Sequence, residues 1–145
     1  VPAPDPGQAT TTLLRTAYNA MSAAVYRHVA QAAGAGLRPA HGNALEMLAL
    51  QDGLRLTDIA AQAGMTPQSM GELVEDLVAK GYLRRQEDPA DHRAKRIYLT
   101  SQGRRAADAG EAATRQAEDQ IQAALGPRQY HQLRRNLASI ARLGL

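Results

Sequence analysis

Between Arg84 and Arg105 the sequence places seven basic residues (Arg84, Arg85, Arg93, Lys95, Arg96, Arg104 and Arg105) against three acids (Glu87, Asp88 and Asp91). The whole chain of 145 residues carries a net charge of only +3, so this surplus is local. A concentrated positive patch of this kind suits a polyanion such as a phosphate backbone. A second set, Thr66, Gln68, Ser69 and Glu72, lies on one helical face just after a Thr-Pro start. Short polar side chains there reach base edges, and a helix N-terminus favours a nearby phosphate, although an ordinary solvated face would look the same. Other chemistry is missing. The chain has no Cys, which excludes disulfides, thiolate metal sites and thiol-based peroxide sensing. Its four histidines, His28, His41, His92 and His131, stand at none of the short spacings of a metal site. No nucleophile–base–orienter set, glycine-rich phosphate loop or carboxylate pair stands out, so neither enzymatic activity nor a cofactor is expected.

The elements that must carry these residues follow from periodicity and punctuation. Three prolines and a glycine in residues 1–8 read as a flexible tail. Leu14, Tyr18, Met21, Val25 and Val29 recur at helical steps, giving one stripe on a long helix that Gly34 and Gly36 end. Pro39 opens a second helix, stopped near Asp52 and Gly53. Leu54 to Leu56 is short enough to pair as a small strand. Thr57 offers a cap for a short helix through Ala63, and Gly64 makes the turn after it. Thr66 and Pro67 then start a helix that buries Met70, Leu73, Val74 and Leu77 and closes at Gly81. Tyr82 to Gln86 and Lys95 to Leu99 read as antiparallel strands joined by a polar loop holding Asp88, Pro89, Asp91 and His92. Thr100 and Ser101 cap a long helix with an alanine-rich stripe, and Gly126-Pro127 separates it from a last helix with Tyr130, Leu133, Leu137 and Ile140 inward.

The fold class is therefore mainly α with a small β-hairpin wing. Helix, turn, capped helix and charged hairpin make a winged helix-turn-helix, which presents its second helix to a DNA groove. The domain reading is a tail at 1–8, a dimerisation helix at 9–36, the winged lobe at 37–100 and dimerisation helices at 101–145. Small residues on the terminal stripes allow the close approach that a dimer bundle needs. No apolar run approaches a membrane span, and residues 1–8 lack the basic-then-apolar order of a signal peptide, so a cytoplasmic location is expected.

The run from Leu56 to Arg104, with DLVAKGYLRR, the Asp91-His92-Arg93 loop and the LTxxGR signature at Leu99 to Arg104, resembles the MarR family of bacterial transcriptional regulators. That resemblance implies a homodimer on pseudopalindromic double-stranded DNA. It also implies frequent repression, and release by a small anionic or phenolic ligand. With it, the expected DNA contacts are Thr66, Gln68, Ser69, Glu72, Arg84, Arg85, Asp91, Arg93, Lys95 and Arg96. Arg93 is the prime candidate, for insertion into a narrow minor groove with Asp91 orienting its guanidinium. The other hairpin cations either touch phosphates or merely solvate the strands, and alternation turns about half of them toward DNA. A ligand cleft is drawn from Tyr18, Tyr26, His28, Arg38, His41 and Met47. The capped helix departs from the family in carrying Gly71 and Glu72 where many members have a hydroxyl and a basic residue. It has no basic side chain before Lys80. Glu72 would repel phosphate unless it accepted a bond from a cytosine amino group, which shifts weight to the hairpin. Two other readings stay open: a protein-interaction module with little DNA binding, and a metal sensor using histidines.

Overall fold

The computed structural model describes residues 4–144; residues 1–3, part of the expected tail, lie outside them. The rest of that tail turns at Asp5, whose side chain accepts a hydrogen bond from Gly7 N at 3.0 Å. Six helices follow among the described residues: α1 (Thr10–Ala33), α2 (Pro39–Leu50), α3 (Leu56–Gln62), α4 (Pro67–Ala79), α5 (Ser101–Leu125) and α6 (Pro127–Ala141). Three strands, β1 (Leu54–Arg55), β2 (Leu83–Asp88) and β3 (Asp91–Leu99), form an antiparallel sheet in the order β1-β3-β2. The chain divides into two compact units, one ending at Ala113 and the other covering Thr114–Leu145. No described helix is long and apolar enough to cross a membrane.

The first unit has one core. Val29 and Ala33 of α1, Ala44, Leu45 and Leu48 of α2, Ile59 of α3, four residues of α4, and Leu83, Ile97 and Leu99 of the sheet are all buried. Burying each of the larger of these side chains contributes about 1.5–3 kcal/mol. The α1 stripe is only partly used for this: Val25 and Val29 pack on the core, while Tyr18 and Met21 are exposed. In the second unit Tyr130 is buried, its hydroxyl lies 3.1 Å from the Arg134 guanidinium, and Leu133 and Leu137 remain exposed.

α4 is the best-specified element. Thr66 Oγ1 accepts from Ser69 N at 3.2 Å, Pro67 occupies the first turn, and Gly81 leaves the helix at a φ of +81°. Met70, Leu73, Val74 and Leu77 all face the core, as their spacing requires. Gly71 interrupts this helix without packing need. A Cβ added there would meet Leu56 Cδ2 at 3.6 Å, an ordinary contact. Gly71→Ala is therefore expected to stabilise the lobe by about 1 kcal/mol, since alanine loses less backbone freedom in a helix. Urea unfolding followed by circular dichroism checks this, and a lower midpoint for the variant would refute it.

Two boundaries differ from the sequence reading. The short helix starts at Leu56, one residue before the expected Thr57 cap, because the chain turns straight out of β1; Arg55 occupies the cap position with no side-chain cap. The hairpin is longer than expected. Its strands continue to Asp88 and Asp91, leaving Pro89 and Ala90 as the turn, with a bulge at Glu87/Asp88. Asp88 and Asp91 look like loop residues in sequence, yet both sit on strands because Asp88 is held from below.

Candidate nucleic-acid interface

The wing is built around one carboxylate. Asp88 Oδ2 accepts from Arg55 Nε at 2.9 Å and Nη2 at 2.7 Å, and Arg96 Nε lies 3.1 Å away. Its Oδ1 accepts from Ala90 N at 3.0 Å, which closes the turn. The carboxylate has no exposed surface, but its cover is thin, since the two arginines over it remain 40% and 37% exposed. The Ala90 N–H and then the Arg55 guanidinium stabilise the ionised form, lowering the pKa to about 2. Arg96 is further tied by Nη1 to Gly53 O at 2.9 Å. One buried acid thus joins β1, β2, β3 and the turn.

Register decides what the other cations face. Arg84 lies opposite Tyr98 and Gln86 opposite Arg96; Arg85 lies opposite Ile97 and Glu87 opposite Lys95. Arg84 stacks over the Tyr98 ring, 4.7 Å from its centroid, and donates to Gln86 Oε1 at 2.8 Å. Arg85 on the other face lies 3.9 Å from Glu75 of α4, and Lys95 lies 3.8 Å from Glu87. Arg93, exposed near the tip, has only its backbone fixed: its N–H donates to Asp91 Oδ1 at 3.1 Å. The expected Asp91–guanidinium pair does not form. An aspartate at this spacing satisfies the amide two residues on, and the Arg93 side chain stays free to extend. Among the described residues, Arg84 and Arg93 are the cations of β2 and β3 with no carboxylate within ion-pair distance.

α4 presents Thr66, Gln68, Ser69 and Glu72 at its exposed N-terminal half, as expected. Thr66 and Ser69 are partly occupied with each other, their hydroxyl oxygens 2.9 Å apart. The other end of α4 is pinned by Asp76, which pairs with Lys80, lies 2.8 Å from His41 Nε2 and is 3.8 Å from Arg38 Nη2. Hydrogen bonding from Lys80 is the main influence lowering the Asp76 pKa. This link orients α4 on α2.

The lobe therefore combines a capped polar helix with a braced, positively charged hairpin, and residues 35–94 match the model of the MarR family. Solved structures agree with it. A probable transcriptional regulator from Pseudomonas aeruginosa is 28% identical, with a TM-score of 0.74 over 92% of this chain and 97% of that one. MepR of S. aureus, solved as a DNA complex, is 24% identical with a TM-score of 0.78, covering 92% and 97% of the two chains. The PcaV transcriptional regulator of Streptomyces coelicolor, solved with its natural ligand, is 19% identical with a TM-score of 0.75 over 100% of both. The last two likenesses concern the fold. No curated protein matches the chain.

The six residues of the expected ligand cleft lie on α1, on α2 and at the residue before α2, and several of their polar atoms are taken up within the protein. His41 is fully buried: Nδ1 accepts from Arg38 N at 2.9 Å, which leaves Nε2 to carry the proton beside Asp76, though poorly directed for a hydrogen bond. Burial is the main influence holding its pKa below the ordinary value. His41 is thus a capping and packing residue at the start of α2. His28 is exposed, with Nδ1 3.0 Å from Ala24 O on its own helix. Met47 packs against the core. Tyr26 is half-buried and donates to Pro39 O at 3.3 Å; burial, and then Glu46, push its pKa up to about 12. Tyr18 and Arg38 keep well-exposed side chains. No group of three or more metal-ligating side chains occurs among the described residues.

Sequence reasoning missed Arg55, Asp76 and Asp52 as parts of the frame. Asp52 Oδ1 accepts from Leu99 N at 2.9 Å, and Oδ2 lies 3.3 Å from Arg104 Nη2, so the arginine of the LTxxGR signature braces the sheet. A lone Asp before Gly53 reads as turn chemistry, and nothing in its spacing points 52 residues onward.

Proposed function

We propose that the chain is a homodimeric, cytoplasmic, sequence-specific DNA-binding transcriptional repressor, released from a pseudopalindromic site by a small anionic or phenolic ligand. One observation carries the reading: the wing keeps Arg93 exposed and without an acidic partner, beside a capped helix whose polar N-terminal face is open. Phosphate contacts would come from Arg84, and from Arg85 and Lys95 once their weak surface pairs exchange. Arg96 serves mainly to brace the hairpin. MepR, solved with DNA, and PcaV, solved with its natural ligand, support the two halves of the proposal by analogy. Dimerisation is supported by exposed apolar side chains on α1 (Tyr18, Met21) and, separately, on α6 (Leu133, Leu137). A two-fold dimer would set two α4 helices about one DNA turn, roughly 34 Å, apart.

Fluorescence anisotropy with palindromic duplexes across a salt series tests the proposal. Wild-type protein is expected to bind with a steep negative salt slope, and Arg93→Ala to weaken binding about tenfold or more and flatten the slope by about one unit. The acidic residues Glu72 and Glu75 favour a second reading, a protein-interaction module; indifference of binding to both salt and Arg93 would select it.

A further inference from the structure

We infer that Glu72 makes α4 a cytosine reader, fixing one C·G pair in each half-site; the inference rests on the DNA-binding reading above. α4 holds three acids, and two are engaged inside the protein. Asp76 is held by Lys80, His41 and Arg38, and Glu75 lies near Arg85. Glu72 is exposed, on the face opposite Met70, Leu73, Val74 and Leu77, and has no ion-pair partner among the described residues. It follows Gln68 by four residues, so the two lie one above the other on the surface that a major groove would receive.

The chemistry of that position is restrictive. An ionised carboxylate only accepts hydrogen bonds. Phosphates offer it repulsion, and guanine and thymine present it acceptors in the major groove. Adenine offers its N6 amino group with the N7 acceptor on the same edge, which would face the carboxylate too. Cytosine offers the N4 amino group with no acceptor of its own beside it. A sequence lacking cytosine at this step leaves Glu72 desolvated and unpaired, so the residue discriminates mainly by penalising the wrong bases.

The test is selection of bound duplexes from a randomised library with wild-type protein, Glu72→Gln and Glu72→Ala. Anisotropy titrations on the selected site and on its C·G→T·A replacement follow. Wild-type protein should select cytosine at one position per half-site and lose about five- to tenfold in affinity on its replacement. Glu72→Gln should shift the preference at that position to adenine, which a side-chain amide matches. Glu72→Ala should bind unselected DNA more tightly while losing discrimination at that position alone. A cytosine preference that survives in Glu72→Ala, or its absence from the wild-type sites, overturns the inference and leaves DNA binding standing. If wild-type protein binds no duplex at any salt concentration, the underlying reading falls, and this inference with it.

Discussion

Replacing Gly103 with alanine is expected to destabilise the winged lobe by about 3 kcal/mol or more, the upper end of what overpacking costs. A Cβ at this position would lie 2.0 Å from Tyr82 O, 3.0 Å from Tyr82 C and 3.1 Å from Leu99 Cδ2. The obstacle is backbone, not the far end of a flexible side chain. Tyr82 O cannot retreat freely, because it accepts from Thr100 N at 3.0 Å. Thr100 in turn caps α5, its Oγ1 accepting from Gly103 N at 3.1 Å. Moving the helix start away would break both bonds and pull buried Leu99 out of line. Tyr82 also anchors α1, its hydroxyl donating to Ala33 O at 3.1 Å, so the disturbance would spread across the core. The measurement is urea unfolding of Gly103→Ala beside Gly71→Ala. The first should lower the midpoint sharply and the second raise it. A Gly103→Ala protein as stable as wild type would show that the helix start has slack the geometry denies.

That contrast between two helical glycines marks where sequence stops being legible. Both occur in apparently helical sequence, and propensity assigns both the same cost. Only packing separates them, since one faces a carbonyl contributed by residue 82 and the other faces the tip of Leu56. Local signals did better. Thr66-Pro67, the spacing of Met70, Leu73, Val74 and Leu77, and Gly81 define α4 from within one continuous stretch, and the helix forms as they require. The wing strands were legible from alternation, but their ends were not. Asp88 and Asp91 carry turn chemistry locally, whereas Arg55, 33 residues earlier, supplies the charge that lets Asp88 go under cover. The two histidines expected in a ligand cleft are engaged locally for a related reason. His28 and His41 come from neighbouring helices, but each satisfies its ring on nearby backbone, one on Ala24 O and the other on Arg38 N. In both cases the partner lies within four residues, and sequence gives no way to rank that bond against a distant ligand.

Asp88→Asn is expected to loosen the wing while leaving the helical core folded. Asparagine keeps the size and the oxygen that accepts from Ala90 N, but it leaves two guanidiniums, those of Arg55 and Arg96, without their common countercharge. Both arginines are partly exposed and would swing toward water, so the damage should concentrate where they act as ties: the β1–β3 pairing and the turn at Pro89-Ala90. Hydrogen exchange should therefore accelerate at Ala90, Ile97 and Gly53, with little change at Val74 or Leu77 in α4. If Arg93 contacts DNA, the same substitution should weaken duplex binding although residue 88 itself has no exposed surface. The pH dependence gives a second check. The Asp88 carboxyl is depressed from the ordinary 3.8 to about 2, so its contribution is fully present above the unfolded value and disappears as pH falls through about 2. The difference in wing protection between wild type and Asp88→Asn should accordingly be constant at neutral and mildly acidic pH and shrink as pH drops from 3.8 toward 2. Unchanged exchange at the turn at neutral pH would mean that hydrogen bonding alone, without the charge, holds the wing. Arg93 would then owe its position to its own N–H bond to the Asp91 carboxylate and not to the buried acid beneath it.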